Sequence, residues 1–180
     1  KMICPPGVFD AAGALFYRNA ANGAFMFTSR YRLSDSESLF QTASMYPDVF
    51  KPRPAESHKG TYGTLAVIGG AEGMSGAVVL AATAAAYAGC GKVWAGFNQR
   101  QLPFAVIDGR PEIMLATAQN LLLRNDADAR AVGCGLGLGE AASGIVAAAL
   151  SEADGKPLLL DADALTLLSR SSELQRLAVQ

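Results

Sequence analysis

The chain has 180 residues, 51% of them hydrophobic and 17% charged, which is enough apolar content to bury a core and excludes a disordered polyelectrolyte. Fifteen Lys and Arg against sixteen Asp and Glu leave a net charge of -1, so there is no basic stripe to recruit nucleic acid by counterion release. Three dispersed cysteines (Cys4, Cys90 and Cys134) and a single histidine give no zinc-type spacing and no disulfide framework, a usage that suits a reducing compartment.

Residues 1–30 show no clear period, and the opening Lys-Met-Ile-Cys-Pro-Pro lacks the charged-then-apolar layout of a signal peptide. A cytoplasmic location is expected. From Ser34, cap-forming residues precede Leu39 and Phe40, which predicts a short helix ending before Tyr46-Pro47. Lys51-Pro-Arg-Pro-Ala55 reads as an extended linker, because each proline disfavours helix in the residue before it. Residues 1–50 are therefore set apart as a segment of unassigned role with a linker helix. The compact domain is placed in 51–180, beginning near His58.

From there strands and helices alternate. Strands are expected at Thr64 to Ile68, Lys92 to Phe97, Ala131 to Cys134 and Pro157 to Leu160. Helices are expected at Ser75 to Gly89 and Glu140 to Glu152, with a short one near Thr117 to Arg124. This pattern of βαβ units predicts an α/β fold with three layers, a mainly parallel central sheet covered by helices on both faces. The apolar run Met74 to Gly91 is mostly Ala and Gly bracketed by glycine loops, and it reads as a buried helix rather than the roughly 20 strongly apolar residues of a membrane span.

In such sheets ligands bind beyond the carboxyl ends of the strands, where loops lead into helix N-termini. Three loops fit that description. The first, Ile68-Gly-Gly-Ala-Glu-Gly-Met-Ser-Gly-Ala77, has four glycines in eight residues, which let backbone approach a ligand and let helix amides face an anion. It lacks the Gly-Lys-Ser/Thr of a Walker loop, and tight strand-to-helix packing is the plainer explanation for its glycines. The second, Gly133-Cys-Gly-Leu-Gly-Leu-Gly139, lies between a strand and a helix, an order that favours phosphate or dinucleotide binding. The third, Leu158-Leu-Leu-Asp-Ala-Asp-Ala-Leu165, ends a buried strand with two aspartates. Helix capping accounts for one of them, with Asp163 the better candidate; magnesium held through water or an oriented hydroxyl would occupy the other. Lys59 stands before the first strand, where it is either a solvated lysine or a phosphate contact. His58 is read as structural, and Arg110 with Glu112 as an ordinary ion pair.

Lys59-Gly-Thr-Tyr-Gly63, Val67-Ile-Gly-Gly70 with Gly73-Met-Ser-Gly-Ala77, Arg110-Pro-Glu-Ile-Met114, Gly133-Cys-Gly-Leu-Gly137 and Leu160-Asp-Ala-Asp-Ala-Leu165 follow one another across His58 to Leu168. In this order they resemble the NAD(P)H-hydrate dehydratase family of the ribokinase-like superfamily. The resemblance implies a hydro-lyase that repairs the S-epimer of hydrated NADH or NADPH. A nucleotide, ADP or ATP with magnesium, phosphorylates the ring hydroxyl, and phosphate then leaves to restore the double bond. Such transfer depends on positioning and charge stabilisation. By the family pattern Gly76, Ala77, Gly135, Gly137, Asp161 and Asp163 shape the pocket for the hydrated dinucleotide, no residue here is assigned to a metal, and a homo-oligomer is expected.

Two positions depart from the pattern: Cys134 stands where proline is usual and Thr166 where asparagine commonly follows the Asp-Ala-Asp-Ala-Leu motif. The family's later Thr-Pro-His-Pro-Gly-Glu and Gly-Thr-Gly-Asp segments do not occur in these 180 residues. The chain is accordingly expected to be a truncated, N-terminal half of the catalytic domain, inactive alone, with catalytic and nucleotide-binding residues unassigned. A ribokinase-like small-molecule kinase and a non-catalytic dinucleotide-binding module are the alternatives.

Overall fold

The computed structural model describes residues 14–19, 23–28, 44–45, 53–153 and 155–179. Strands β1 (Ala14–Asn19) and β2 (Gly23–Thr28) pair antiparallel, with Ala14 opposite Thr28 and Asn19 opposite Gly23. Both runs carry aromatic residues that favour strands, and three residues separate them, a hairpin signature. Of the helix expected before Tyr46, only Ser44 and Met45 fall within the described residues, and both are helical.

The sheet of the domain contains β3 (Thr64–Gly69), β4 (Lys92–Phe97), β5 (Met114–Thr117), β6 (Ala129–Val132) and β7 (Leu158–Leu160). Every pairing is parallel, in the spatial order β5-β4-β3-β6-β7. The expected mainly parallel sheet is present, with one strand more than the four expected. β5 lies in a stretch read as irregular, and β6 starts two residues earlier than expected.

β3 is central, and all six of its residues are buried. Alternate side chains therefore enter two separate cores. Leu65 and Val67 join Val78, Ala82 and Ala85 of helix α1 (Ser75–Tyr87), together with Val93, Ala95 and Phe97 of β4. On the other face Ala66 and Ile68 meet α2 (Ala118–Leu122), α3 (Glu140–Ser151), α4 (Ala162–Arg170) and α5 (Ser172–Ala178) through Leu121, Val146, Leu167 and Leu174. The alanines of α1 allow close approach to the sheet. The helix ends where Gly89 takes φ 97, a conformation glycine adopts without strain.

The strand order places the topological switch point between β3 and β6. The chain leaves β3 toward β4 over one face and leaves β6 toward β7 over the other, so the connections diverge and a crevice opens between the carboxyl ends of these strands. Both glycine-rich loops emerge there.

Candidate active site

The two glycine loops hold one another by backbone contacts. Gly70 donates its N–H to the Cys134 carbonyl at 3.0 Å, and Ala71 donates to the Gly135 carbonyl at 2.7 Å. A side chain on either loop would block this approach. A Cβ on Gly69 would sit 2.1 Å from the Cys134 oxygen, and one on Gly135 would sit 2.9 Å from the Cβ of Met74 and 3.0 Å from that of Ala77. Ala77 and Gly135 are thus neighbours. Gly76 lies beside them on the open first turn of α1, with nothing within 4 Å of its would-be Cβ.

The third loop is tied to the second. Asp163 Oδ2 accepts the Gly137 N–H at 2.8 Å, and a Cβ on Gly133 would fall 1.9 Å from the Asp161 carbonyl oxygen. This corrects the capping role expected of Asp163: α4 has no side-chain cap at Asp161, and Asp163 braces the neighbouring loop that follows β6. Between the two aspartates Ala162 adopts φ 44, an uncommon left-handed conformation for a residue with a Cβ.

Side chains at the end of β4 complete the brace. Asn98 Nδ2 donates to the Leu136 carbonyl at 2.9 Å, while Gln99 Nε2 donates to the Gly70 carbonyl and to Ser75 Oγ, both at 2.8 Å. Neither was singled out from the sequence. The available signal was their position just past a strand end.

Three helices start at these loops, and each lacks a side-chain cap. Met74 before α1, Gly139 before α3 and Asp161 before α4 make no capping bond, whereas Thr117 caps α2 and Ser171 caps α5. Uncapped first-turn amides carry the positive end of the helix dipole, so the loops at the switch point present unsatisfied donors suited to an anionic ligand.

Cys134 lies among these groups. Burial pushes its thiol above the usual range, and the charges of Asp161 and then Asp163 push it further, so the sulfur remains a protonated thiol at neutral pH.

A groove of about 380 Å³ adjoins the loops, lined by Glu72, Asn98, Gln99, Arg100, Thr117 and Gln119, with Ala141 at its edge. Its residues come from the carboxyl ends of β3, β4 and β5 and the starts of α2 and α3.

Other candidates lie at the opposite rim. Lys59 to Tyr62 form a 3-10 turn before β3, capped by His58 Nδ1, which accepts the Gly60 N–H at 3.1 Å. The six residues of β3 span about 17 Å, which keeps a lysine side chain at Lys59 out of reach of the glycine loops. His58 is structural, as expected. Arg110 pairs with Glu112 at 3.5 Å and also stacks on Tyr87, with 3.9 Å from guanidinium carbon to ring centroid.

Among the described residues no group of three or more His, Cys, Asp or Glu is placed to hold a metal ion. Asp163 is already engaged with Gly137, and Asp161 alone does not make a magnesium cage. No described helix is long and apolar enough to cross a membrane.

The profile of the NAD(P)H-hydrate dehydratase family matches residues 65–179. An ADP-dependent (S)-NAD(P)H-hydrate dehydratase of Neisseria meningitidis is 62% identical over 140 residues, covering 78% of this chain and 47% of that enzyme. One of Lactiplantibacillus plantarum is 37% identical over 128 residues, 67% of this chain and 45% of its own length. Among solved structures, the ADP/ATP-dependent NAD(P)H-hydrate dehydratase of Bacillus subtilis, co-crystallized with ATP/Mg2+, superposes with a TM-score of 0.56 at 32% identity, covering 66% of this chain and 43% of that one. A ribokinase-like superfamily protein of Enterococcus faecalis gives a TM-score of 0.63 at 25% identity, over 71% of this chain and 46% of that one. The chain spans about half the length of the first relatives it matches.

Proposed function

Because the chain belongs to the NAD(P)H-hydrate dehydratase family, we propose that it supplies the dinucleotide-facing half of an enzyme that converts the S-epimer of hydrated NADH or NADPH back to NAD(P)H at the expense of ADP or ATP. The observation that carries the reading is the set of three uncapped helix N-termini at the switch point, beside glycines whose side chains would close it.

In this reading Gly76, Ala77, Gly135 and Gly137 line the bed for the hydrated dinucleotide. The first turns of α1 and α3 face its anionic pyrophosphate. Asp163 holds Gly137 in register, and Asp161 offers a carboxylate to a ligand hydroxyl. Phosphorylation is needed because hydroxide leaves a carbon poorly, whereas phosphate leaves well. No residue of this chain is assigned to the donor nucleotide or its magnesium, since the family's Gly-Thr-Gly-Asp motif does not occur in these 180 residues. The domain is taken to begin near residue 51, with 1–50 a separate segment. A cytoplasmic location and a homo-oligomer complete the proposal, the second supported by Leu80 and Tyr87, each 74% exposed on α1.

The test is recovery of NADH absorbance when the full-length protein meets hydrated NADH, magnesium and either ADP or ATP. Recovery that requires a nucleotide is expected, and it identifies the donor. A folded full-length protein that restores no NADH with either nucleotide would sink the repair reading.

A further inference from the structure

The groove beside the glycine loops has a chemistry that selects among ligand parts. Six of the seven residues that line it, Glu72, Asn98, Gln99, Arg100, Thr117 and Gln119, carry polar groups on aliphatic stems, and the seventh is Ala141, so the wall is mixed. No aromatic or large aliphatic side chain is there to stack on an adenine or nicotinamide ring. A sugar suits such walls better than a base.

The orientation of the two amides narrows this further. Asn98 directs its nitrogen at the Leu136 carbonyl, and Gln99 directs its nitrogen at the Gly70 carbonyl. A carbonyl only accepts, so both amide flips are fixed by their partners, and the oxygens are the atoms left for a ligand. With the Glu72 carboxylate they give the groove three acceptors, which hydroxyl donors satisfy. A doubly charged phosphate ester would meet these acceptors, one carboxylate among them, with Arg100 as the only cation in the lining.

We infer that this groove takes the adenosine ribose of the hydrated dinucleotide as a free 2′,3′-diol, with Glu72 and the Asn98 and Gln99 oxygens accepting its hydroxyl protons, so that the site favours the NADH form over the NADPH form. The inference rests on the repair reading for the identity of the substrate. Its own content is the discrimination at the ribose 2′ position. Glu72 is the specificity-determining residue and Arg100 the lesser contributor.

Steady-state repair of hydrated NADH and hydrated NADPH is compared for full-length wild type, Glu72→Gln and Glu72→Arg. The wild-type kcat/KM should favour hydrated NADH, Glu72→Gln should lower that preference about tenfold through KM, and Glu72→Arg should reverse it. Reversal is a gain for one substrate and does not follow from misfolding. A preference unchanged within twofold in both variants overturns the inference while leaving the repair reading intact. Fluorescence titration of the same three proteins with NADH and NADPH reads the discrimination without turnover. Retained binding selectivity, reversed in Glu72→Arg, in a protein that repairs neither hydrate would uphold the subsite and reject the reaction.

Discussion

The two rims of the central sheet are built by different means. At the carboxyl rim, backbone holds backbone: Gly70 and Ala71 bond the carbonyls of Cys134 and Gly135, and glycines at 69, 133 and 135 leave no room for a Cβ. At the amino rim, backbone bonds from Gly91 to Tyr62 and from Lys92 to Gly63 are joined by cationic side chains that close the helix C-termini. The buried guanidinium of Arg130 donates to the carbonyls of Glu152, Leu122 and Arg124, Lys156 donates to those of Asn125 and Ala127, and Asp128 Oδ2 accepts the Thr64 N–H at 2.7 Å. Arg53 adds a bond of 2.6 Å to the Gly89 carbonyl. The amino rim satisfies helix C-termini with cations and is thereby closed, whereas the carboxyl rim leaves helix N-termini without side-chain caps and is open to a ligand. The first rim serves stability and the second serves binding.

This division can be broken by mutation, and the largest effect should come from Gly133→Ala. The new Cβ would meet the Asp161 carbonyl at 1.9 Å in a residue whose φ is 132, so a loss of about 3 kcal/mol or more is expected in urea unfolding, together with loss of dinucleotide binding. Arg130→Met tests the opposite rim. It should destabilise by about 2 kcal/mol through three orphaned carbonyls while leaving KM for the hydrated dinucleotide unchanged in the full-length enzyme. A raised KM in this variant would break the division.

Asp163→Asn should cost about 1 kcal/mol, because it weakens one charge-assisted bond to Gly137, but it should raise KM by loosening the second loop. The smallest effect concerns Cys134. Its thiol pKa is raised in the folded chain, first by burial, so the folded state holds that proton more tightly than the unfolded state. The resulting contribution to stability is present below the unfolded thiol pKa and fades as pH rises through the folded one. Iodoacetamide labelling of the Cys134 peptide should therefore be slower in the folded protein than in urea at the same pH, with the difference shrinking at strongly alkaline pH.

Much of this organisation is legible in the sequence because strand-loop-helix order is local. The Gly69 and Gly133 loops, the helices at Ser75 and Glu140, and the strands at Thr64 and Lys92 all follow from apolar runs punctuated by glycine. What escapes is tertiary. β5 is four residues long and follows a helix-free stretch, so it lacks both length and context. The early start of β6 is hidden by Arg130, a charge that reads as loop until its carbonyl partners are seen. Asp163 looks like a cap because its true partner, Gly137, lies 26 residues away. The groove residues Asn98, Gln99 and Thr117 have no motif of their own, and only the folded sheet brings them together with Glu72. Of the residues proposed for the pocket, Gly137 is bonded to Asp163 and Ala77 adjoins Gly135.

The most direct test of the division is amide hydrogen exchange of the full-length protein with and without NADH. Slowed exchange confined to residues 69–77, 98–100 and 133–139, with 58–63 and 122–130 unaffected, is the result predicted for a ligand-facing carboxyl rim. Protection of the amino-rim segments in place of the glycine loops would contradict it.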